Sequence, residues 1–313
     1  MSVSSHNGVA VANIDKVNGV RYSDVFDISG SRRSYFLNTY SGAEAAYSLR
    51  KLSLTARTAI TVENSSGTTA DIGFDSNGDL DTSALTTHCG SNYGRVSKWW
   101  DQSGNGRHME QSTATSRPYI VDGSGNLITT TDNSISALDF YFSSTARWLE
   151  DTFVSNNGDE LLISAVTEFK SVTTAQQVFS QWSSSTSTQV TQLSVLGASS
   201  KLRISARYSG GQLGRSDSNT TISVNDEYII NAYASANPYG GDIDFNGDTA
   251  DTDVGFPSSG TINNGSLKAA IGRRSDSGAA QLQGLVAELI IWSDTMPTRA
   301  NVMTDINNHY SVF

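Results

Sequence analysis

Along most of the chain apolar and polar residues alternate with period two, the spacing that puts one face of a strand on a core and the other in solvent. In Lys201–Tyr208, the apolar Leu202, Ile204, Ala206 and Tyr208 alternate strictly with polar neighbours. Similar runs predict strands over Ala59–Val62, Leu138–Phe142, Leu161–Phe169, Tyr228–Tyr233 and Leu285–Trp292. The turn-rich stretches between them predict an all-β fold, two antiparallel sheets packed as a sandwich. Two segments follow another period. Glu44–Leu52 combines good helix formers with Ala46, Leu49 and Leu52 three residues apart, which predicts a short helix. Near the C-terminus, Pro297 suits a first helical turn, and Val302, Met303, Ile306 and Tyr310 follow at spacings of three and four. A terminal helix capping the sandwich is expected there.

The first thirty residues repeat at an offset of eleven: Asn7-Gly-Val-Ala-Val-Ala-Asn-Ile14 aligns with Asn18-Gly-Val-Arg-Tyr-Ser-Asp-Val25. Asn-Gly suits a tight two-residue turn, so each unit reads as a small hairpin. Two hairpins bury little surface alone. Residues 1–30 are therefore expected to be an attachment or assembly segment, and residues 31–313 the sandwich.

Composition supports the β reading. Charged residues are 17% of the chain, with 27 glycines and four prolines, as expected of many short strands joined by polar turns. The net charge of −10 and the absence of a basic run longer than Arg32-Arg33 or Arg273-Arg274 leave no electrostatic footprint for nucleic acid. No apolar run reaches the roughly 18 residues that a bilayer requires, and no basic segment precedes an apolar core at the N-terminus, so neither membrane insertion nor a conventional secretion signal is expected. The lone Cys89 excludes an internal disulfide and reads as a small buried hydrophobe.

The densest chemistry lies in Lys98–Gln111, "KWWDQSGNGRHMEQ". In a strand, adjacent Trp99 and Trp100 point to opposite faces, so one goes to the core and the other is a candidate platform for a sugar ring. Asp101 through Gly106 have the composition of a turn. A second candidate is Asp242, Asp244, Asn246 and Asp248, spaced like the ligands of a calcium loop with Gly247 at the sixth place. That loop lacks Glu at its twelfth position, and the hairpin reading, a strand turning at Asn246-Gly247 with its acids in solvent, is preferred. His88, Cys89 and His108 show no paired metal-ligand spacing. With no phosphate loop, G-x-S-x-G elbow or dinucleotide fingerprint, no cofactor is expected.

Two resemblances add to this. "NGVAVANIDKVNGV" resembles the N-terminal stretches of phage tail-fibre and other virion appendage proteins. "DQSGNG" resembles a stretch of concanavalin-like, laminin-G-like jelly rolls, and more closely one in the family-54 α-L-arabinofuranosidase catalytic domain. "AYSLRKL", "IGFDSNGDLDTSAL" and "RPYIVDGSG" lie in similar order in phage and bacterial proteins, and "GLVAELIIWSDTMPTRANVMTDINNHY" is similar to the final strand and helix of laminin-G-like modules. The arabinofuranosidase resemblance implies a nucleophilic Glu shortly before a Leu-Gly pair; in Thr191–Gly197 its place falls on Gln192. An amide cannot attack an anomeric carbon. The family's acid, an Asp after an Ile-Gly pair, falls near Arg273 and Arg274, with Asp276 reached only through a gap, and the family's disulfides cannot form with one cysteine.

Two readings follow. The preferred one is a non-enzymatic virion-surface component, a tail fibre, spike or capsid decoration. Its N-terminal segment would join other virion proteins, its chains would form a homo-oligomer, with a trimer favoured, and Trp99, Trp100, Asp101 and Gln192 would bind host-surface polysaccharide. The alternative is an arabinofuranosidase-like glycoside hydrolase.

Overall fold

The computed structural model describes residues 5–6, 9–10, 16–17, 20–21, 34–141, 145–154, 158–182, 190–208, 213–236, 239–247, 261–262 and 266–313. Near the N-terminus, Ser5–His6 (β1) pairs with Val9–Ala10 (β2), and Lys16–Val17 (β3) with Val20–Arg21 (β4). Each pair flanks one of the repeated Asn-Gly dipeptides. The body is nearly all antiparallel sheet. In chain order it contains β5 (Ala43–Ser48), β6 (Ile60–Asn64), β7 (Thr69–Ile72), β8 (Gly94–Trp99), β9 (Met109–Glu110), β10 (Tyr119–Val121) and β11 (Leu138–Asp139). There follow β12 (Leu149–Val154), β13 (Glu160–Phe169), β14 (Gln176–Trp182), β15 (Val190–Leu196), β16 (Lys201–Arg207) and β17 (Leu213–Asp217). The last four are β18 (Glu227–Ala236), β19 (Tyr239–Phe245), β20 (Ser266–Ile271) and β21 (Gly284–Ser293).

One sheet runs β9-β12-β20-β14-β15-β16-β17, the other β5-β21-β13-β18-β19. At one end β8 pairs with β6, β9 and β10 and links the layers. The alternating residues of the two sheets meet between them: Leu193, Ile204 and Ile271 on one side, Ile163, Ile230 and Leu289 on the other, all buried. The second sheet is also covered on its outer face. There Leu162, Val166, Ile229, Ile290 and Trp292 pack against Val302, Met303 and Ile306 of the helix Arg299–Tyr310 and against Phe36 and Tyr40. Burial on both faces explains why β13 and β21 read as near-continuous apolar runs.

Glu44–Leu52 is not a helix. Ala43–Ser48 is β5, paired with β21 so that Leu289 lies opposite Tyr47 and Ile290 opposite Ala46. Its small alanines fit a doubly covered strand: Ala45 and Tyr47 face the inter-sheet core, while Ala46 faces the helix-covered side. A helical propensity of a few tenths of a kcal/mol per residue gives way to such pairing. The helix Thr82–Cys89, capped by the Asp81 carboxylate that accepts from the Ala84 amide at 2.9 Å, was not expected. The Leu138–Phe142 strand shortens to Leu138–Asp139, and Phe142 lies outside the described residues.

"DQSGNG" holds the edge of β5. Among the described residues β5 pairs with one strand, β21, and its other backbone edge is met by this loop. The Ala46 amide donates to Asp101 Oδ1 at 2.9 Å, and the Gln102 amide donates to the Ala46 carbonyl at 2.8 Å. Gln102 Nε2 donates to the Ser48 and Arg50 carbonyls, and Asn105 Nδ2 to those of Ala43 and Glu44, all at 3.0 Å. Gly104 and Gly106, at φ 93° and 71°, supply the left-handed backbone that a tight loop needs. The loop thus does the pairing of a missing strand and closes an edge otherwise open to other chains.

Candidate functional site

The outer face of the first sheet is not covered by the C-terminal helix, and register assembles its chemistry. Residues directly opposite one another share a face. Reading across the sheet, Lys98 lies opposite Glu110, Glu110 opposite Glu150, Glu150 opposite Ala270, and Ala270 opposite Ser180. Ser180 is opposite Gln192, Gln192 opposite Ser205, and Ser205 opposite Arg215. One row across seven neighbouring strands and β8 therefore carries two glutamates at one end, a hydroxyl and amide centre, and an arginine at the other end.

Three half-buried tryptophans accompany the row, each against a cation. Lys98 Nζ lies 4.6 Å from the Trp100 ring centroid, the Arg273 guanidinium 3.8 Å from that of Trp148, and the Arg274 guanidinium 4.9 Å from that of Trp182. Such pairs fix the rings while leaving part of each exposed. Trp100 is further held by its indole N–H, which donates to Thr61 Oγ1 at 2.9 Å, and by the His108 ring. The turn after β20 folds back over the face: Ser180 Oγ donates to the Arg273 carbonyl at 2.9 Å, and the Ser275 amide donates to Ser180 Oγ at 2.9 Å.

The acids differ in their surroundings. Burial alone would raise the Glu150 carboxyl. Hydrogen bonds and charge from Arg273 Nη2 at 2.6 Å and Lys268 Nζ at 3.1 Å outweigh it and hold the group below the ordinary range, so Glu150 is ionised at neutral pH. Glu110, with its side chain 55% exposed, pairs with Lys98 at 2.7 Å. Asp276 is paired with Arg274 Nε at 2.7 Å and is almost buried.

The expected site residues separate. Trp99 is fully buried in the core beside Tyr47, with ring centroids 5.8 Å apart, so it is no platform; Trp100 is the outward ring. Asp101 is buried and engaged by backbone amides, a structural carboxylate. Gln192 does lie on the outer face, in the row above, and is 8% exposed. Asp242 and Asp244 sit on alternate positions of β19 and both face Arg299, with Asp244 at 3.5 Å, so an arginine stands beside the two acids where a cation was considered. Asn246 turns the chain at φ 49°; its Oδ1 accepts from the Ile229 amide and its Nδ2 donates to the Glu227 carbonyl. Asp248 lies outside the described residues. Among the described residues no three His, Cys, Asp or Glu gather as metal ligands. Sequence reasoning missed Glu110, Glu150, Trp148 and Trp182. Glu110 and Trp182 occupy outward strand positions, but no local pattern announces that separate strands bring them to one face.

Away from this face, a concavity of about 300 Å³ is lined by Arg50, Asp79, His309 and Tyr310 among others. Of its lining, Arg50 is paired with the buried Glu288 at 2.7 Å, and the His309 ring lies 3.7 Å from Asp79.

No family model matches the chain, and no curated protein does. Solved structures do. A family-54 α-L-arabinofuranosidase soaked with a cyclic sulfate inhibitor superposes with a TM-score of 0.55 at 16% identity, over 86% of this chain and 63% of that one. The chain shares its fold. A glutamate-to-glutamine mutant of such an enzyme, soaked with 4-nitrophenyl α-L-arabinofuranoside, gives 0.56 with the same identity and coverage. An arabinofuranosidase complexed with arabinofuranosyl-α-1,2-xylobiose gives 0.52 at 15% identity, over 86% and 62%. The chain thus spans less than two thirds of those proteins. The finding corrects the preferred expectation from sequence: the non-enzymatic virion-surface role, drawn from the N-terminal repeat and from Gln192 at the nucleophile's place, is set aside, because the solved structures that share this fold are arabinofuranosidases.

Proposed function

We propose that this protein is an arabinofuranosidase-like glycoside hydrolase that takes its glycan at the β9–β12 end of the outer face of the first sheet. The observation that carries the reading is the pairing of Glu110 and Glu150 on that face, beside Trp100 and Trp148. Directly opposed residues on antiparallel strands place their Cβ atoms about 4.5–5.5 Å apart, a separation that suits carboxyls about 5–5.5 Å apart, as retaining glycosidases require. Glu150, kept ionised by Arg273 and Lys268, is the nucleophile. It attacks the anomeric carbon as the glycosidic C–O bond breaks, and Glu110, which takes up a proton from solvent and releases Lys98 when the glycan binds, gives that proton to the departing oxygen. Water then attacks the glycosyl-enzyme, Glu110 takes the proton, and Glu150 is released. The three tryptophans hold the sugar by its apolar faces.

The test is release of 4-nitrophenol from 4-nitrophenyl α-L-arabinofuranoside. Glu110→Gln is expected to lower kcat by about 10²–10⁴-fold, and Glu150→Gln by at least as much. An inactive parent protein, or variants that turn over as fast as it does, would refute the reading.

A further inference from the structure

The concavity of about 300 Å³ draws on four segments: the stretch after β5, the turn before the helix Thr82–Cys89, the loop before β11 and the last turn of the C-terminal helix. Arg50 is held there in one pose. The Phe36 and Tyr310 ring centroids lie 5.0 and 5.2 Å from its guanidinium, and Nε and Nη2 donate to Glu288 at 2.7 and 2.8 Å. Glu288 is buried and also accepts from Ser48 Oγ at 2.7 Å and the Tyr310 hydroxyl at 3.0 Å. The pair is therefore neutral as a unit. Arg50 Nη1 has no hydrogen-bond partner among the described residues, which leaves two N–H donors to the concavity that Arg50 lines. Asp79 contributes the opposite chemistry. Its side chain is 55% exposed, and among the described residues its carboxylate accepts no hydrogen bond, with His309 Nε2 at 3.7 Å. Burial, then the charge of Arg50, lower the pKa of His309, so the imidazole is neutral at neutral pH and does not cancel the Asp79 charge. Leu49, Leu80 and Ile135, all buried, add an apolar wall.

This combination selects its ligand. An apolar molecule would strip water from the Arg50 donors and the Asp79 carboxylate without replacing their hydrogen bonds. An anion would meet the charge of Asp79 with no net positive charge to hold it, because Glu288 already neutralises Arg50. An ammonium group would suit Asp79 but offers Arg50 no acceptor. A neutral ring with adjacent hydroxyls satisfies all three requirements. Two hydroxyls donate to the Asp79 oxygens, another oxygen accepts from Arg50 Nη1, and the C–H surface of the ring lies against Leu49, Leu80 and Ile135. We propose that this concavity binds one neutral sugar residue, at a site separate from the Glu110–Glu150 face. A volume at the lower end of the range for ligand sites suits one ring rather than an oligosaccharide. With Glu288 engaged by Arg50, Asp79 is the one carboxylate of the lining left for a ligand among the described residues, so the site holds a sugar and does not cleave it. The proposal does not depend on the hydrolase reading.

Heteronuclear NMR titration of the isotope-labelled full chain with L-arabinose, D-xylose, D-glucose and D-galactose tests this without any turnover, with D-glucuronate and D-glucosamine as charged counterparts. At least one neutral sugar is expected to shift the amides of Leu49, Arg50, Leu80 and Thr82 to saturation, with a Kd of about 1 mM or lower. It should bind about tenfold or more tightly than either charged sugar. Asp79→Asn, at an exposed position, is expected to lose about tenfold in affinity, as for one charged hydrogen bond. Thr82→Trp, which brings an indole to the concavity from another exposed position, should abolish the shifts. Trp100→Ala should leave the affinity unchanged, which separates this site from the tryptophan face. Absence of shifts with all four neutral sugars, tighter binding of glucuronate or glucosamine, shifts confined to Lys98–Gln111, or parent affinity in both Asp79→Asn and Thr82→Trp would overturn the proposal. A chain that binds sugar through Asp79 yet releases no 4-nitrophenol would lose only the hydrolase reading.

Discussion

The Asp101 carboxylate accepts from four donors: the amides of Ala46 and Ser103 at Oδ1, and Ser103 Oγ and the Arg107 amide at Oδ2. Its own amide donates to His108 Nδ1 at 3.0 Å, which fixes that imidazole as an acceptor. Asn in its place keeps one carbonyl oxygen but turns an NH₂ group toward donors, leaving at least one buried amide without an acceptor. Asp101→Asn is expected to lower stability by about 1–3 kcal/mol, read as a reduced urea midpoint. An unshifted midpoint would show that the loop does not depend on this carboxylate. At this scale the sequence announced the turn, because Asp, Ser, Asn and Gly have turn chemistry of their own. It did not announce what the turn holds. The Ala46 and Ser48 backbone groups that the loop satisfies lie more than fifty residues earlier in the chain.

Among the elements, the period-two strands Leu161–Phe169, Lys201–Tyr208, Tyr228–Tyr233 and Leu285–Trp292 and the terminal helix form close to where the pattern puts them. Each buries a face, so each carries its own periodicity. Glu44–Leu52 misleads because a strand covered on both sides by close-packed neighbours selects small residues, and alanine is also the strongest helix former. The turn after β20 depends on one glycine. Gly272 has φ 91°, and a Cβ there would come within 2.5 Å of Phe140 Cδ1 and 2.9 Å of the Arg147 carbonyl. Gly272→Ala should cost about 1–3 kcal/mol through backbone strain and overpacking. It should also displace Arg273 from Glu150. Gly123→Ala, at a position with open space around it, is the control and should leave the urea midpoint unchanged.

For the whole molecule, two imidazoles link the sandwich to pH. Burial, then the positive charge of Lys98, lower the pKa of His108; burial, then that of Arg50, lower that of His309. In the unfolded chain both return to an ordinary value of about 6.5. The unfolded state therefore binds more protons as pH falls, so the stability present above about pH 6.5 declines on acidification before carboxylates with ordinary values near 4 respond. Urea midpoints measured between pH 7.5 and 5 are expected to fall, and to fall less in a His108→Gln, His309→Gln double variant. An identical decline in parent and variant would assign the effect to other groups.

The sequence by itself determined the class of fold, the turn at Asp101–Gly106 and the terminal helix. These depend on periodicity and on local backbone preferences, which a short window of residues contains. It also established that Gln192 cannot be a nucleophile, since that is a property of one side chain. Only the tertiary structure decided that Trp99 is core and Trp100 is surface, that Glu44–Leu52 begins as a strand, and that Glu110 faces Glu150. Those relations are set by strand register between segments tens of residues apart. A one-residue slip in any of them would send the side chain to the other side of the sheet.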